Sequence, residues 1–147
     1  MLKKLSLVLV ITAVFGLLAA GAALSQGGRG RRIHYSKLFD PGTITTVSGK
    51  VLKVMPVISG NGRNYCLHSL LTTPKGQVTA VLAPQNYLAT KGLTLKPGDR
   101  ITATGSLVTI QGKPFLLVTE MRGDRTMKLR EENGRPAWAV GNDWHAH

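Results

Sequence analysis

A single cysteine, Cys66, in 147 residues excludes an intramolecular disulfide. Acids are scarce too: seven Asp and Glu stand against 19 Lys and Arg, a formal net charge of +12. General acid–base chemistry needs a positioned pair of titratable groups. Here Asp99 in "KPGD" reads as turn chemistry, and Asp124, Glu131 and Glu132 also fall at turns or their flanks. The sequence has no G-x-S-x-G, no H-E-x-x-H, no phosphate-binding glycine loop and no c-type haem attachment sequence. An enzyme is therefore not expected, and neither is a cofactor. Aromatic residues are only 5% of the chain, and of these Tyr65 and Tyr87 alone are placed to stack on bases. That is thin for single-stranded nucleic acid, which binding proteins hold on aromatic platforms.

What is present begins with a targeting layout. Lys3 and Lys4 precede the apolar run "LSLVLVITAVFGLLAAGAAL", and small residues follow. A basic, an apolar and a small-residue region in that order predict a secretory signal peptide over residues 1–25, cut after Ser25. A retained N-terminal anchor is the alternative, since the run is about as long as a spanning helix. Either way the rest of the chain is expected outside the cytoplasm, in the periplasm or facing it. Loss of Lys3 and Lys4 lowers the charge from +12 to +10, which favours anionic partners: an envelope component, phospholipid head groups or nucleic acid. Residues 26–42, with Arg29, Arg31, Arg32 and Lys37, read as a flexible basic arm that can tether the protein to an anionic surface.

From Thr43 the texture changes to short β-branched and apolar runs separated by turns. "TITTVSGKVLKV" reads as a first strand, and its apolar phase slips at Gly49, which suggests a bulge or bend. "YCLHSLLTT" and "QVTAVLA" read as the second and third strands, "PQNYLATKG" as a two-turn helix, and "ITATGSLVTI" and "PFLLVTEMR" as a closing hairpin. Three strands, a helix and a hairpin make the strand order of the OB-fold. The expected class is all-β with one short helix: a five-stranded Greek-key barrel over residues 43–138, with a C-terminal strand-turn extension and a flexible tail at 139–147. In that extension Asn133 and Gly134 supply a turn with positive φ, and Trp138 packs back on the barrel.

The segments "VSGKVLKV", "LKPGDRITATGSLV" and "GKPFLLVTEMRGDRTMKLREENGRPAW" together resemble a group of small exported bacterial OB-fold proteins. That group includes relatives of the bacterial periplasmic OB-fold family and magnetosome-associated proteins. The resemblance runs from Thr43 to Trp138, and "LREENGRPAW" is its most specific part. It implies an extracytoplasmic binding or assembly module, with no catalytic residues to carry across.

The candidate ligand face is that of strands two and three with its flanking loops, which selects Arg63, Asn64, Tyr65, His68, Gln111 and Lys113. Cys66 and His68, two apart on one strand, share a face and form half of a soft metal site. Against that stands a core role, and Cys66 is either buried or paired with another chain. His145 and His147 sit in the terminal tail. The expected function is binding, to an envelope component, a protein partner or a small charged ligand. Nucleic-acid binding is the alternative and metal handling the third.

Overall fold

A computed structural model describes residues 33–60 and 62–139. The expected signal peptide, the basic arm up to Arg32, and the tail from Val140, with His145 and His147, lie outside the described residues.

Two single-turn 3-10 segments, Tyr35–Lys37 and Pro41–Thr43, lead into six strands and a short helix. These are β1 (Ile44–Ile58), β2 (Tyr65–Thr73), β3 (Gly76–Pro84), α1 (Gln85–Thr90), β4 (Arg100–Ile110), β5 (Lys113–Arg122) and β6 (Thr126–Lys128). The strands lie in the order β3-β2-β1-β4-β5-β6, and a parallel pairing of β3 with β5 closes the first five into a barrel. With α1 between β3 and β4, this is the OB-fold-like Greek-key barrel that the strand order predicts. β4 and β5 are joined through Gln111 and Gly112, at φ 51 and 75. Positive φ at both central residues is the hairpin turn that matches strand twist.

β1 serves two ladders. Ile44–Lys50 pairs with β4 and Lys50–Ile58 pairs with β2, so the strand turns its corner at Lys50. Gly49 is beside that corner, where a Cβ would lie 2.5 Å from the Thr72 carbonyl oxygen. The register slip itself falls between Val51 and Lys53, so Leu52 is the bulged residue and Gly49 provides the close approach of β2. The strand continues past Val54 to Ile58. Pro56 is tolerated there because this half of β1 has a single neighbour, so no second ladder loses a donor.

The apolar residues form two layers. Ala80, Leu82, Leu116 and Val118 fill the barrel with Val51, Leu71, Met121 and Leu129. The alternate residues Val81 and Leu117 point the other way and are buried as well, together with Cys66, against Tyr35 and Phe39. A strand covered on both faces needs an unbroken apolar run, and β3 has one in Ala80-Val81-Leu82-Ala83. Each fully buried Leu or Val contributes about 1.5–3 kcal/mol. The outer cover comes from the segment expected as a flexible arm: Tyr35 meets the His68 ring edge-on at 5.2 Å, and Phe39 lies against Gly134.

Candidate functional site

The site is built where the barrel closes. Between β4 and β5 the register shifts: Thr104 faces Glu120 and Gly105 faces Val118, which leaves Thr119 as the extra residue. The strands touch closely here, since a Cβ on Gly105 would lie 2.7 Å from the Leu117 carbonyl carbon and 2.8 Å from Val118 Cα. Thr119 donates through Oγ1 to the Thr104 carbonyl at 3.0 Å. Its own carbonyl accepts the N–H groups of Leu129 at 2.6 Å and Arg130 at 3.0 Å. The bulge therefore catches the chain as it leaves β6 and fixes where Arg130 enters the fold.

Arg130 completes the seam. The parallel β3–β5 ladder covers Thr79–Val81 against Phe115–Leu117. Just beyond it, Arg130 Nη1 donates to the carbonyls of Val118 at 2.6 Å and Val81 at 3.2 Å. One guanidinium nitrogen thus serves two strands where their own pairing has stopped. Arg130 is only 6% exposed. The chain then turns back: Gly134 N–H donates to the Glu131 carbonyl, Ala137 N–H to the Leu129 carbonyl, and Arg130 bridges Pro136. Gly134 has the expected positive φ of 89, packed so tightly on Phe39 that a Cβ would meet the ring at 2.5 Å. Asn133 does not take positive φ; its side-chain carbonyl accepts the Arg135 N–H at 3.0 Å instead.

That return brings Trp138 over the Arg130 guanidinium, 5.0 Å from ring centroid to carbon, and against Tyr87 of α1 at 5.6 Å. Trp138 is half-buried, a wall as much as a core residue. Between these groups lies a cleft of about 380 Å³. Tyr87, Trp138, Pro84 and Pro136 form its apolar sides, Tyr35, Ser36, Asn64, Asn86 and Thr90 contribute polar groups, and Cys66 and Arg130 also line it. A volume in this range suits a small ligand.

Burial sets the charges here. It pushes the Cys66 thiol up to about 11, opposed by the Arg130 cation, and the Tyr35 phenol up to about 12, helped by Cys66. It pulls His68 down to about 4, with Arg130 acting in the same direction. Desolvation lowers Arg130 to about 10, partly offset by Cys66. At neutral pH the thiol, phenol and imidazole are uncharged and the guanidinium remains a cation.

The residues selected from sequence divide. Arg63, Asn64 and Tyr65 come together at the start of β2, beside Asn86 and Ala89 of α1, and Asn64 also lines the cleft. Gln111 and Lys113 are at the β4–β5 hairpin and line neither hollow. His68 is not on an open ligand face: it is 3% exposed beneath Tyr35, because the N-terminal segment covers that side of β2 and β3. Cys66 and His68 do share a buried face, but among the described residues no third His, Cys, Asp or Glu joins them in a metal-holding group. Arg130 was not selected. Alternation of Met127 and Leu129 with Lys128 and Arg130 reads as a two-sided strand, whereas β6 ends at Lys128 and both Leu129 and Arg130 are buried.

The family model of MamS/MamX magnetosome proteins matches residues 43–127, the barrel through β6. "LREENGRPAW", with Arg130 and Trp138, lies beyond the matched residues. No curated protein matches the chain. Among solved structures, a small single-stranded DNA-binding protein from Streptomyces coelicolor is similar at 15% identity and TM-score 0.42, over 55% of this chain and 90% of that one. Apo TiaS, a tRNAIle2 agmatidine synthetase, is similar at 15% identity and TM-score 0.39, over 53% of this chain and 17% of that one.

Proposed function

The chain belongs to the MamS/MamX magnetosome protein family, and from that premise we propose that it is an exported, non-enzymatic OB-fold binding module whose ligand occupies the cleft between α1, β2 and the C-terminal segment. It works outside the cytoplasm, in the periplasm or held at the membrane by its N-terminal segment. Its partner is an anionic envelope component, a protein or a small charged ligand. The observation that carries this reading is a preformed cleft with apolar walls in which Cys66 and Tyr35 are held uncharged beside one buried cation. Such a site has no ionised nucleophile or base for chemistry, and it has walls and a charge for recognition. Single-stranded nucleic acid would need an open aromatic platform along β2 and β3. Tyr35 and Phe39 of the chain itself cover that face, and Tyr65 is the ring left exposed beside it.

Amide resonances of the isotope-labelled full chain, titrated with a native envelope extract, test the reading. Shifts are expected to gather at Asn64, Asn86, Tyr87 and Trp138. Shifts confined to the Gln111–Lys113 hairpin, or none anywhere, would overturn it.

A further inference from the structure

Arg130 leaves an account open that the seam does not close. A guanidinium has five N–H donors. Nη1 spends its two on the Val81 and Val118 carbonyls, which are dipoles and cancel no charge. Among the described residues the ion pairs are Arg122 with Glu120 and Lys128 with Glu131, so no carboxylate reaches Arg130. Cys66 and Tyr35, two ionisable neighbours in the cleft, stay protonated because they are buried. A nine-tenths-buried cation thus lines a cavity without a counter-charge, a costly state unless an anion enters. Among the described residues no acceptor is placed on Nε or Nη2, and the two parallel N–H bonds of that edge match the two oxygens of a carboxylate.

We propose that the cleft is a carboxylate site, in which the Nε–Nη2 edge of Arg130 receives one carboxylate and the ligand's apolar body lies between Tyr87, Trp138 and Pro136. The proposal rests on the binding reading above and names the ligand class. A single cation calls for a singly charged group: among the described residues Arg130 is the sole charged one lining the cleft, and Lys91 stands outside it over the Tyr87 ring, 5.6 Å from the centroid. A phosphate dianion would bring a second charge that nothing in the lining neutralises. The walls are aromatic rings and prolines, so a flat or branched apolar body fits them better than a sugar. Two sources carry this chemistry, a free small carboxylic acid and the C-terminal carboxylate of a peptide.

The test uses the full chain and calorimetric titration with phenylacetate, N-acetylphenylalanine, the primary amide of each, and inorganic phosphate, at matched ionic strength. Each acid is expected to bind about tenfold or more tightly than its amide, the difference of one charge-assisted bidentate contact. Tighter binding of N-acetylphenylalanine than of phenylacetate identifies the peptide terminus as the source, and the reverse order identifies the free acid. Arg130→Gln should bring each acid down to the level of its amide. That variant alters the seam, so Tyr87→Ala provides a second arm: it should weaken acid and amide alike and leave their ratio unchanged. The acid–amide comparison on the unmodified chain needs no variant at all. Equal binding of acid and amide, competition by phosphate at equal concentration, or no binding by any probe overturns the carboxylate assignment. Equal binding with resonance shifts at Asn64 and Tyr87 does so while leaving the binding module intact. Silence of those resonances to the probes and to envelope extract removes both readings.

Discussion

Replacing Gly105 with alanine should dismantle the barrel seam from a position that carries no side chain. The added Cβ would sit 2.7 Å from the Leu117 carbonyl carbon and 2.8 Å from Val118 Cα. Carbon pairs settle near 3.5–4.0 Å, so β5 must retreat by roughly 1 Å. All the colliding atoms are backbone, so no rotamer change can relieve them. Overpacking of this kind costs about 1–3 kcal/mol. The retreat also strains the Thr119 bulge, whose carbonyl holds the Leu129 and Arg130 N–H groups, and loss of those bonds adds about 1 kcal/mol each. The expected destabilisation is therefore about 3–5 kcal/mol, less the few tenths that alanine gains by restricting the unfolded chain. For a domain of this size that lowers Tm by about 15 °C or more. Thermal unfolding followed by circular dichroism measures it. Gly123→Ala is the control, because a Cβ there meets nothing closer than 3.8 Å, and its Tm should stay within about 3 °C of wild type. A Gly105→Ala protein that melts alongside that control would refute the account of the seam.

Two further outcomes follow from the buried titratable groups. His68 is held near 4 when folded against 6.5 ordinarily, so the unfolded chain takes up its proton first; stability is full above about pH 6.5 and falls as pH drops toward 4, by about 3 kcal/mol. Denaturant melts of His68→Gln should lack that part of the acid loss, and curves for the two proteins that run parallel from pH 6.5 to 4 would count against a buried neutral imidazole. For Cys66, a rise from 9.0 to about 11 cuts the thiolate fraction about a hundredfold, and burial slows access further. Iodoacetamide at about pH 8 should label the native protein at least that much more slowly than the unfolded one, and comparable rates would mean an open thiol.

The barrel was legible in the sequence because its signals are local. Alternation in "ITATGSLVTI", the Gln111-Gly112 turn and Gly134 each depend on a few neighbouring residues. Gly49 marked the corner of β1, though the slip that accompanies it belongs to Leu52. The cleft was less legible because it is assembled across the chain. Arg130 is buried by carbonyls 12 and 49 residues away, and nothing near it in sequence says that its charge turns inward. His68 shows the complementary case. Its pairing of face with Cys66 follows from the period of a strand, but the cover over that face comes from Tyr35, which lies in a stretch without apolar periodicity. An OB-fold's usual ligand face was a sound expectation until the chain's own N-terminal residues occupied it.

The capping of Val81 and Val118 by Arg130 also bears on synthesis and on where the domain stops. All five barrel strands have been made by residue 122, yet the last rung of the closure is supplied by a side chain that emerges eight residues later. A nascent chain halted after β5 holds every barrel strand and the β3–β5 ladder, but lacks the Arg130 cap at the end of that ladder. The packing likewise extends beyond the segment that the family match covers: back to Tyr35, which roofs the outer layer, and forward to Trp138, which stacks on the guanidinium.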